Sequence, residues 1–435
     1  MGSSYTPTAD LPPGIVFWRL HADTASVVSA TWQVRIRVRT TPIDTVWGTT
    51  LDMNGDGFAD VAVGSPYDDD AVYVYAGGAS GLDDTPSWTL QGAFEDSDFG
   101  YDVASAGDVD GDGFADLLVS EVGMRSALFR GSDVGPLPSP DWTVASPNFG
   151  LARAAGDVDG DGFGDVVVRP TGAGPLALYR GGASGLSTTP SWQMTTSAYS
   201  LASACDVDGD GSPDLIVSGA ASAVFLGGPS GYRRTAWTAP GGQVACAGDV
   251  DGDGYLDVVV GATDANIMLY RGGPQGLLSM ASWTWPSPQD GGYLSVAGAG
   301  DVDADGFDDV AIGASARASA SGVELAGTAY LFAGGSAGLG AAPAWMHDGP
   351  STWYAGVIVG AGDVDGDGFE DVGISAPHAT ITDPSGSSIF TGAAFVVRGS
   401  ATWTGTAWQV HGAVHRMNFG TSIARLMIRT LTSPS

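Results

Sequence analysis

Lysine is absent from the 435 residues, and glutamate nearly so: Glu95, Glu121, Glu324 and Glu370 stand against 45 aspartates. With no lysine amine there is neither Schiff-base chemistry nor a Walker-type phosphate loop. Residues that favour helices are scarce while Gly, Asp, Thr and Val abound, so an all-β protein is expected. No run of 18 apolar residues occurs, and the first 20 residues carry neither a basic nor an apolar stretch, so neither a membrane span nor a signal peptide is read here. The five histidines, His21, His347, His378, His411 and His415, are scattered. They form no triad with Ser or Cys and no zinc spacing, which leaves no catalytic residue to name. Two cysteines, Cys205 and Cys246, allow at most one disulfide and do not fix the compartment.

Acid dominates what remains. The formal net charge of -32 repels phosphate backbones and anionic lipid headgroups, and no basic stripe overrides it, so nucleic acid and membrane insertion are set aside. Hydrophobic residues make up 43%, the composition of a globular chain with a core rather than of an acidic tail. The acid must therefore be organised.

It is organised by repetition. A nine-residue pattern, Asp-x-Asp/Asn-x-Asp-Gly-x-x-Asp, occurs seven times. Its side-chain oxygens belong to Asp52, Asn54, Asp56 and Asp60; Asp108, Asp110, Asp112 and Asp116; Asp157, Asp159, Asp161 and Asp165; and Asp206, Asp208, Asp210 and Asp214. They continue with Asp249, Asp251, Asp253 and Asp257; Asp301, Asp303, Asp305 and Asp309; and Asp363, Asp365, Asp367 and Asp371. Successive first members are 56, 49, 49, 43, 52 and 62 residues apart, the size of one four-stranded propeller blade.

Within each unit, small residues such as Val103-Ala104-Ser105-Ala106-Gly107 run into the acidic loop, and an apolar run such as Asp257-Val258-Val259-Val260 leaves it. Small side chains suit an innermost strand, where seven blades converge on one axis. A third strand ends at an aromatic and a glycine turn, as in Tyr75-Ala76-Gly77-Gly78 and Tyr270-Arg271-Gly272-Gly273. A fourth carries Trp88, Trp142, Trp192, Trp237, Trp283, Trp345 or Trp408. One tryptophan per unit at a fixed place reads as core packing between blades.

The expected fold is a seven-bladed β-propeller of four-stranded blades over residues 45–412, with eight blades or strand exchange at the closure as alternatives. Residues 1–44 hold a hairpin, read either as the remnant of an immunoglobulin- or fibronectin-like domain or as part of an extra blade. Residues 413–435 are a tail or a closing strand. Cys205 and Cys246 precede the acidic loops of neighbouring blades on innermost strands, which allows a cross-blade disulfide or two buried small hydrophobes.

Three acids at alternate positions put oxygens around one centre, the sixth-position glycine permits a turn with positive φ, and the ninth residue closes the cage. The seventh residue, Phe58, Phe114, Phe163, Ser212, Tyr255, Phe307 or Phe369, offers its backbone carbonyl while its side chain is expected to pack inward. An all-oxygen donor set on flexible loops suits Ca²⁺ better than Mg²⁺. Four carboxylates about 5 Å apart make six repulsive pairs of about 3 kcal/mol each at an effective dielectric near 20, so an ordered loop without a cation is disfavoured. A plain Asp-Gly turn uses one or two of these residues, not four at fixed offsets. About seven Ca²⁺ sites are expected.

The stretch Phe99-Gly100 through Asp116, with the Gly64-Ser65-Pro66 and Ser375-Ala376-Pro377 steps, resembles FG-GAP repeats. Those repeats build the propeller of integrin α subunits and of many secreted bacterial proteins. The likeness covers about 370 residues and is specific for fold and calcium, much less so for activity. This sequence departs from the pattern at Asn54, at Ser212-Pro213 in the fourth loop, and at Cys205, where a glycine is usual. The fourth site is expected to be the weakest.

The resemblance implies an extracellular or cell-surface recognition and adhesion module, not an enzyme, with a protein or glycan ligand on the face away from the acidic loops. Candidate contact residues there are Tyr67, Phe94, Tyr293, Trp353 and Tyr354. A lectin-like module of a degradative enzyme and a polysaccharide lyase or hydrolase are the alternatives.

Overall fold

The computed structural model describes residues 14–18, 32–36, 51–66, 70–94, 97–121, 125–145, 149–170, 174–262, 266–287, 294–315, 326–352, 356–377, 379–382, 388–402, 408–412, 419 and 421–423. Among these every regular element is a strand. Seven antiparallel sheets of four strands each form the blades of a β-propeller.

The second blade sets the pattern. Phe99–Gly107 is innermost, followed outward by Asp116–Glu121, Arg125–Phe129 and Trp142–Ala145. Innermost strands are built from small side chains, and residues 103–107 here are all buried. Second strands such as Asp116–Glu121, Asp257–Ala262 and Asp371–Ala376 are buried along their whole length, which accounts for their continuous apolar runs. Outermost strands alternate, as Trp192–Thr196 does between half-buried and exposed residues.

Neighbouring blades pack through the tryptophans that open or occupy each outermost strand. Trp142 meets the Tyr179 ring of the third blade edge-on with centroids 5.1 Å apart, and Trp237 meets Tyr270 of the fifth at the same distance. Their indole N–H groups also reach across: Trp88 donates to the carbonyl of Val134, Trp142 to Ser187, Trp237 to Leu278 and Trp283 to Gly340, each at 2.9 Å. Trp408 of the seventh blade donates to Asp83 of the first at 3.0 Å, so the same contact closes the ring.

Closure uses a strand from the far end of the chain. Ser422–Ile423 takes the innermost place of the first blade, pairing antiparallel with Val61–Ser65. Ser422 Oγ then donates to the carbonyl of Gly100 in the second blade at 2.8 Å. Gly64 lies so close to that blade that a Cβ would sit 1.9 Å from the Gly100 carbonyl oxygen, which explains the glycines at both places. The ring has seven blades, not eight. The hairpin of Gly14–Trp18 and Trp32–Ile36 forms a separate two-stranded sheet.

Cys205 and Cys246 form a disulfide between the fourth and fifth blades, with Cα atoms 5.7 Å apart. Cys205 stands where other blades have a glycine of positive φ, and Ala204 takes up that conformation instead, at φ 59°.

Candidate metal centres

Each nine-residue loop joins the innermost strand position to the second strand, so all seven open on one end of the ring. The sixth-position glycines, Gly57, Gly113, Gly162, Gly211, Gly254, Gly306 and Gly368, have φ between 90° and 95°. Only glycine adopts that backbone without strain.

The first aspartate folds its carboxylate back onto its own loop. Asp108 Oδ1 accepts from the Gly111 N–H at 2.7 Å and Oδ2 from Gly113 at 2.9 Å, and Asp52, Asp206 and Asp363 make the same pair of bonds. Asp157, Asp249 and Asp301 accept from the sixth-position glycine and from the fifth residue. The fifth aspartate accepts the N–H of the seventh residue in every loop, from Asp56 and Phe58 to Asp367 and Phe369.

The ninth aspartate has a second task. Asp60, Asp116, Asp165, Asp214, Asp257, Asp309 and Asp371 are all fully buried. One oxygen accepts from the second residue of its own loop, as Asp116 Oδ2 does from Val109 at 3.0 Å. The other accepts from the glycine after the third strand, as Asp116 Oδ1 does from Gly131 at 3.0 Å. Those bonds recur in all seven blades, so this side chain fastens the loop to the sheet. Burial pushes its carboxyl up despite these donors, to about 7 for Asp60, Asp116, Asp165 and Asp371, about 8 for Asp214 and Asp257, and about 9 for Asp309. Asp206 in first position is pushed by burial to about 7.

Oxygens of three acids converge in loop after loop. Those of Asp108, Asp110 and Asp116 lie within 4.8 Å of one another, as do those of Asp157, Asp159 and Asp161; Asp206, Asp208 and Asp210; Asp249, Asp251 and Asp253; and Asp301, Asp303 and Asp309. Two ligands on opposite sides of a calcium ion are separated by roughly 5 Å, so the spacing and the all-oxygen donor set fit a hard divalent cation. Each ionised carboxylate has about four acceptor positions, so the backbone bonds leave room for an ion.

The seventh side chains are all half-buried. Four of them, Phe58, Phe114, Phe163 and Phe307, pack sideways rather than inward, over the fourth-position glycine of the preceding loop. A Cβ on Gly55, Gly111, Gly252 or Gly366 would meet Phe114, Phe163, Phe307 or Phe58 at 2.7, 2.9, 2.8 and 2.6 Å. The backbone links the loops in the same order. The eighth-residue N–H donates to the first-residue carbonyl of the preceding loop at six of the seven junctions: Ala115 to Asp52, Gly164 to Asp108, Leu256 to Asp206, Asp308 to Asp249, Glu370 to Asp301 and Ala59 to Asp363. At the seventh junction the eighth residue is Pro213, which has no N–H.

The nine-residue pattern overlooks two sets of residues. Asp308 and Glu370 are buried acids at eighth positions, and Asp308 Oδ2 accepts from Asp249 N–H at 2.7 Å. Burial, with the charges of Asp308 and Asp363 next, holds the Glu370 carboxyl well above the ordinary range. Arginines just beyond the third strand bind third-position aspartates; their sequence signal is the Arg-Gly-Gly or Arg-Gly-Ser step at 130, 180, 271 and 398. Of the candidate contact residues, Tyr67, Tyr293, Trp353 and Tyr354 lie outside the described residues. Phe94 is 58% exposed, with the Arg125 guanidinium 5.8 Å from its ring centroid.

A family model described as an FG-GAP-like repeat matches residues 52–119, 135–217 and 249–312. The chain is a seven-bladed β-propeller, and over these segments it is similar to FG-GAP-like repeats. It is similar to integrin alpha-7 of Rattus norvegicus, 41% identical over 97 residues that cover 21% of this chain and 8% of that protein. Integrin alpha-6 of Homo sapiens is 37% identical over 84 residues, covering 19% and 7%. The match thus spans under a tenth of these relatives' length. A solved structure of BBS1N in complex with ARL6DN, soaked with mercury, aligns over 77% of this chain and 91% of its own at 11% identity and a TM-score of 0.49.

Proposed function

We propose that this chain is a calcium-stabilised extracellular recognition module of the adhesion kind, binding a protein or a glycan and catalysing no reaction. The observation that carries the reading is the placing of the acids. Seven acidic loops share one end of the ring, hydrogen-bonded in series, so cations there would brace the propeller rather than meet a substrate. The opposite end is left to loops of varied length, one of which carries the added hairpin of Thr380–Thr382 and Ser388–Phe390. Two further observations support the reading. Relatives that match include integrin alpha subunits. The disulfide between Cys205 and Cys246 suits an oxidising compartment.

Residues that would hold the ion are the first, third, fifth and ninth members of each loop, with the seventh carbonyl. The ion would supply charge balance among the acids and hold the inner hairpins in register. The test is binding of the purified chain to a glycan array and to a panel of extracellular-matrix proteins, with calcium and with EDTA. Calcium-dependent capture of a defined glycan or matrix protein supports the reading. Turnover of a polysaccharide by the same preparation contradicts it.

A further inference from the structure

In four of the blades the third aspartate of the loop is held differently from the other three. In the second, third, fifth and seventh blades its outer oxygen pairs with an arginine one residue past the third strand. The pairs are Arg130 with Asp110, Arg180 with Asp159, Arg271 with Asp251 at 2.6 Å and Arg398 with Asp365 at 2.8 Å. The aspartate side chains are 3% to 7% exposed in these pairs, the arginines 24% to 39%.

The same guanidinium reaches the next blade. Arg180 Nη2 donates to the carbonyl of Pro229 at 2.5 Å, and Arg398 Nη2 to that of Ser80 at 3.0 Å. Arg271 Nη2 lies against Gly338 and Arg130 Nη2 against Gly185, where a Cβ would come within 2.9 and 3.4 Å. A planar fork with several donors can bridge two acceptors in this way, whereas an ammonium is a single point of charge. Where the third acid is missing, so is the arginine: the first blade has Asn54 and Ala76.

Resting on the calcium reading above, we infer that Arg130, Arg180, Arg271 and Arg398 are positioning residues for the bound cations. Each holds the far oxygen of the third aspartate so that the near one is presented to the ion. Each also removes one unit of repulsion among the four carboxylates and ties the order of the loop to the seat of the next blade. The first, fourth and sixth loops lack an arginine at that position, with Ala76, Leu226 and Ala333 in its place, so the seven sites fall into two classes.

The test is calcium titration of the full chain, followed by terbium-sensitised luminescence and by thermal melting, for the wild type, Arg180→Gln, Arg180→Lys and the fourfold Gln variant. Partners that orient metal ligands are worth about tenfold to a hundredfold in affinity. The fourfold variant should therefore titrate in two phases, one near the wild-type concentration and one at least about tenfold higher. Arg180→Lys should fall between wild type and Arg180→Gln. If the fourfold variant does not fold, Arg180→Gln alone decides: its loss in melting temperature should be larger in calcium than in EDTA. Equal losses in both, or an unchanged or tighter titration, overturn the arginine role while leaving the calcium reading in place. A wild type indifferent to calcium overturns both.

Discussion

Ala59, the eighth residue of the first acidic loop, donates its N–H to the carbonyl of Asp363, the first residue of the seventh, at 3.2 Å. Together with Trp408 on Asp83 and Ser422–Ile423 beside Val61–Ser65, this bond joins the two ends of the array. A ring so closed has no exposed first or last blade, and its stability depends on its weakest junction.

That junction lies between the third and fourth blades. Pro213 cannot donate to the Asp157 carbonyl, and with Ser212 in the aromatic position nothing among the described residues comes within 4 Å of a Cβ built on Gly160. A cleft of about 180 Å³, lined by Met194, Ala198, Phe225 and Arg234 among others, opens between the same two blades. Hydrogen exchange should therefore release the amides of Phe149–Gly156 and Ser200–Cys205 before those of Leu294–Gly300. Simultaneous exchange of all three strands would show that the junction is no weaker than the others.

Ala304 holds the fourth position of the sixth loop at φ 57°, where the second, third, fifth and seventh loops have glycines with φ between 72° and 75°. A side chain in that region costs about 1–2 kcal/mol, partly offset because glycine loses more freedom on folding. Ala304→Gly is expected to raise stability by about 0.5–1 kcal/mol in denaturant unfolding. A decrease would show that the alanine methyl makes a contact worth more than the strain.

On the calcium reading proposed above, proton and calcium would compete for the ninth aspartates. Their folded carboxyls lie at about 7 to 9, above the ordinary 3.8, because they are buried. A raised carboxyl stabilises the fold fully below about 3.8, and that contribution is lost as pH rises through about 7 to 9. Protein in EDTA should accordingly melt lower at pH 9 than at pH 5.5. Calcium needs the deprotonated form, so its stabilising effect should widen over the same interval. A calcium effect that shrinks with rising pH would contradict this.

Cys205 and Cys246 close a stretch with a sequence separation of 41 across the fourth and fifth blades. Reduction, or the Cys205→Ala/Cys246→Ala pair, should cost about 2–4 kcal/mol in unfolding free energy. An unchanged midpoint would mean that the bond adds nothing to the packing of two buried side chains.

Blade number, strand order and the place of each tryptophan were legible in the sequence because each follows from something that repeats. The acidic loop marks the start of a second strand and Trp the outermost one, seven times over. What escaped depends on contacts between repeats, or between separate strands of one repeat. Phe163 is an aromatic at a loop position, and only the neighbouring blade shows that it lies over Gly111. The Arg180 pair with Asp159 spans two strands of a sheet, and the ninth aspartates reach a glycine 13 to 28 residues away. Closure by Ser422–Ile423 was legible only as one of two readings of residues 413–435, a tail or a closing strand, since that strand carries no acidic loop to announce it.

The most direct test is calcium titration followed by thermal melting, from EDTA-treated protein to millimolar calcium. Ligand at 100 times its dissociation constant adds about 2.7 kcal/mol per site, so several sites in one cooperative ring should raise the melting temperature by well over about 10 °C. Equal melting temperatures in EDTA and in calcium would contradict the account, because the clustered aspartates would then be holding their places without a cation.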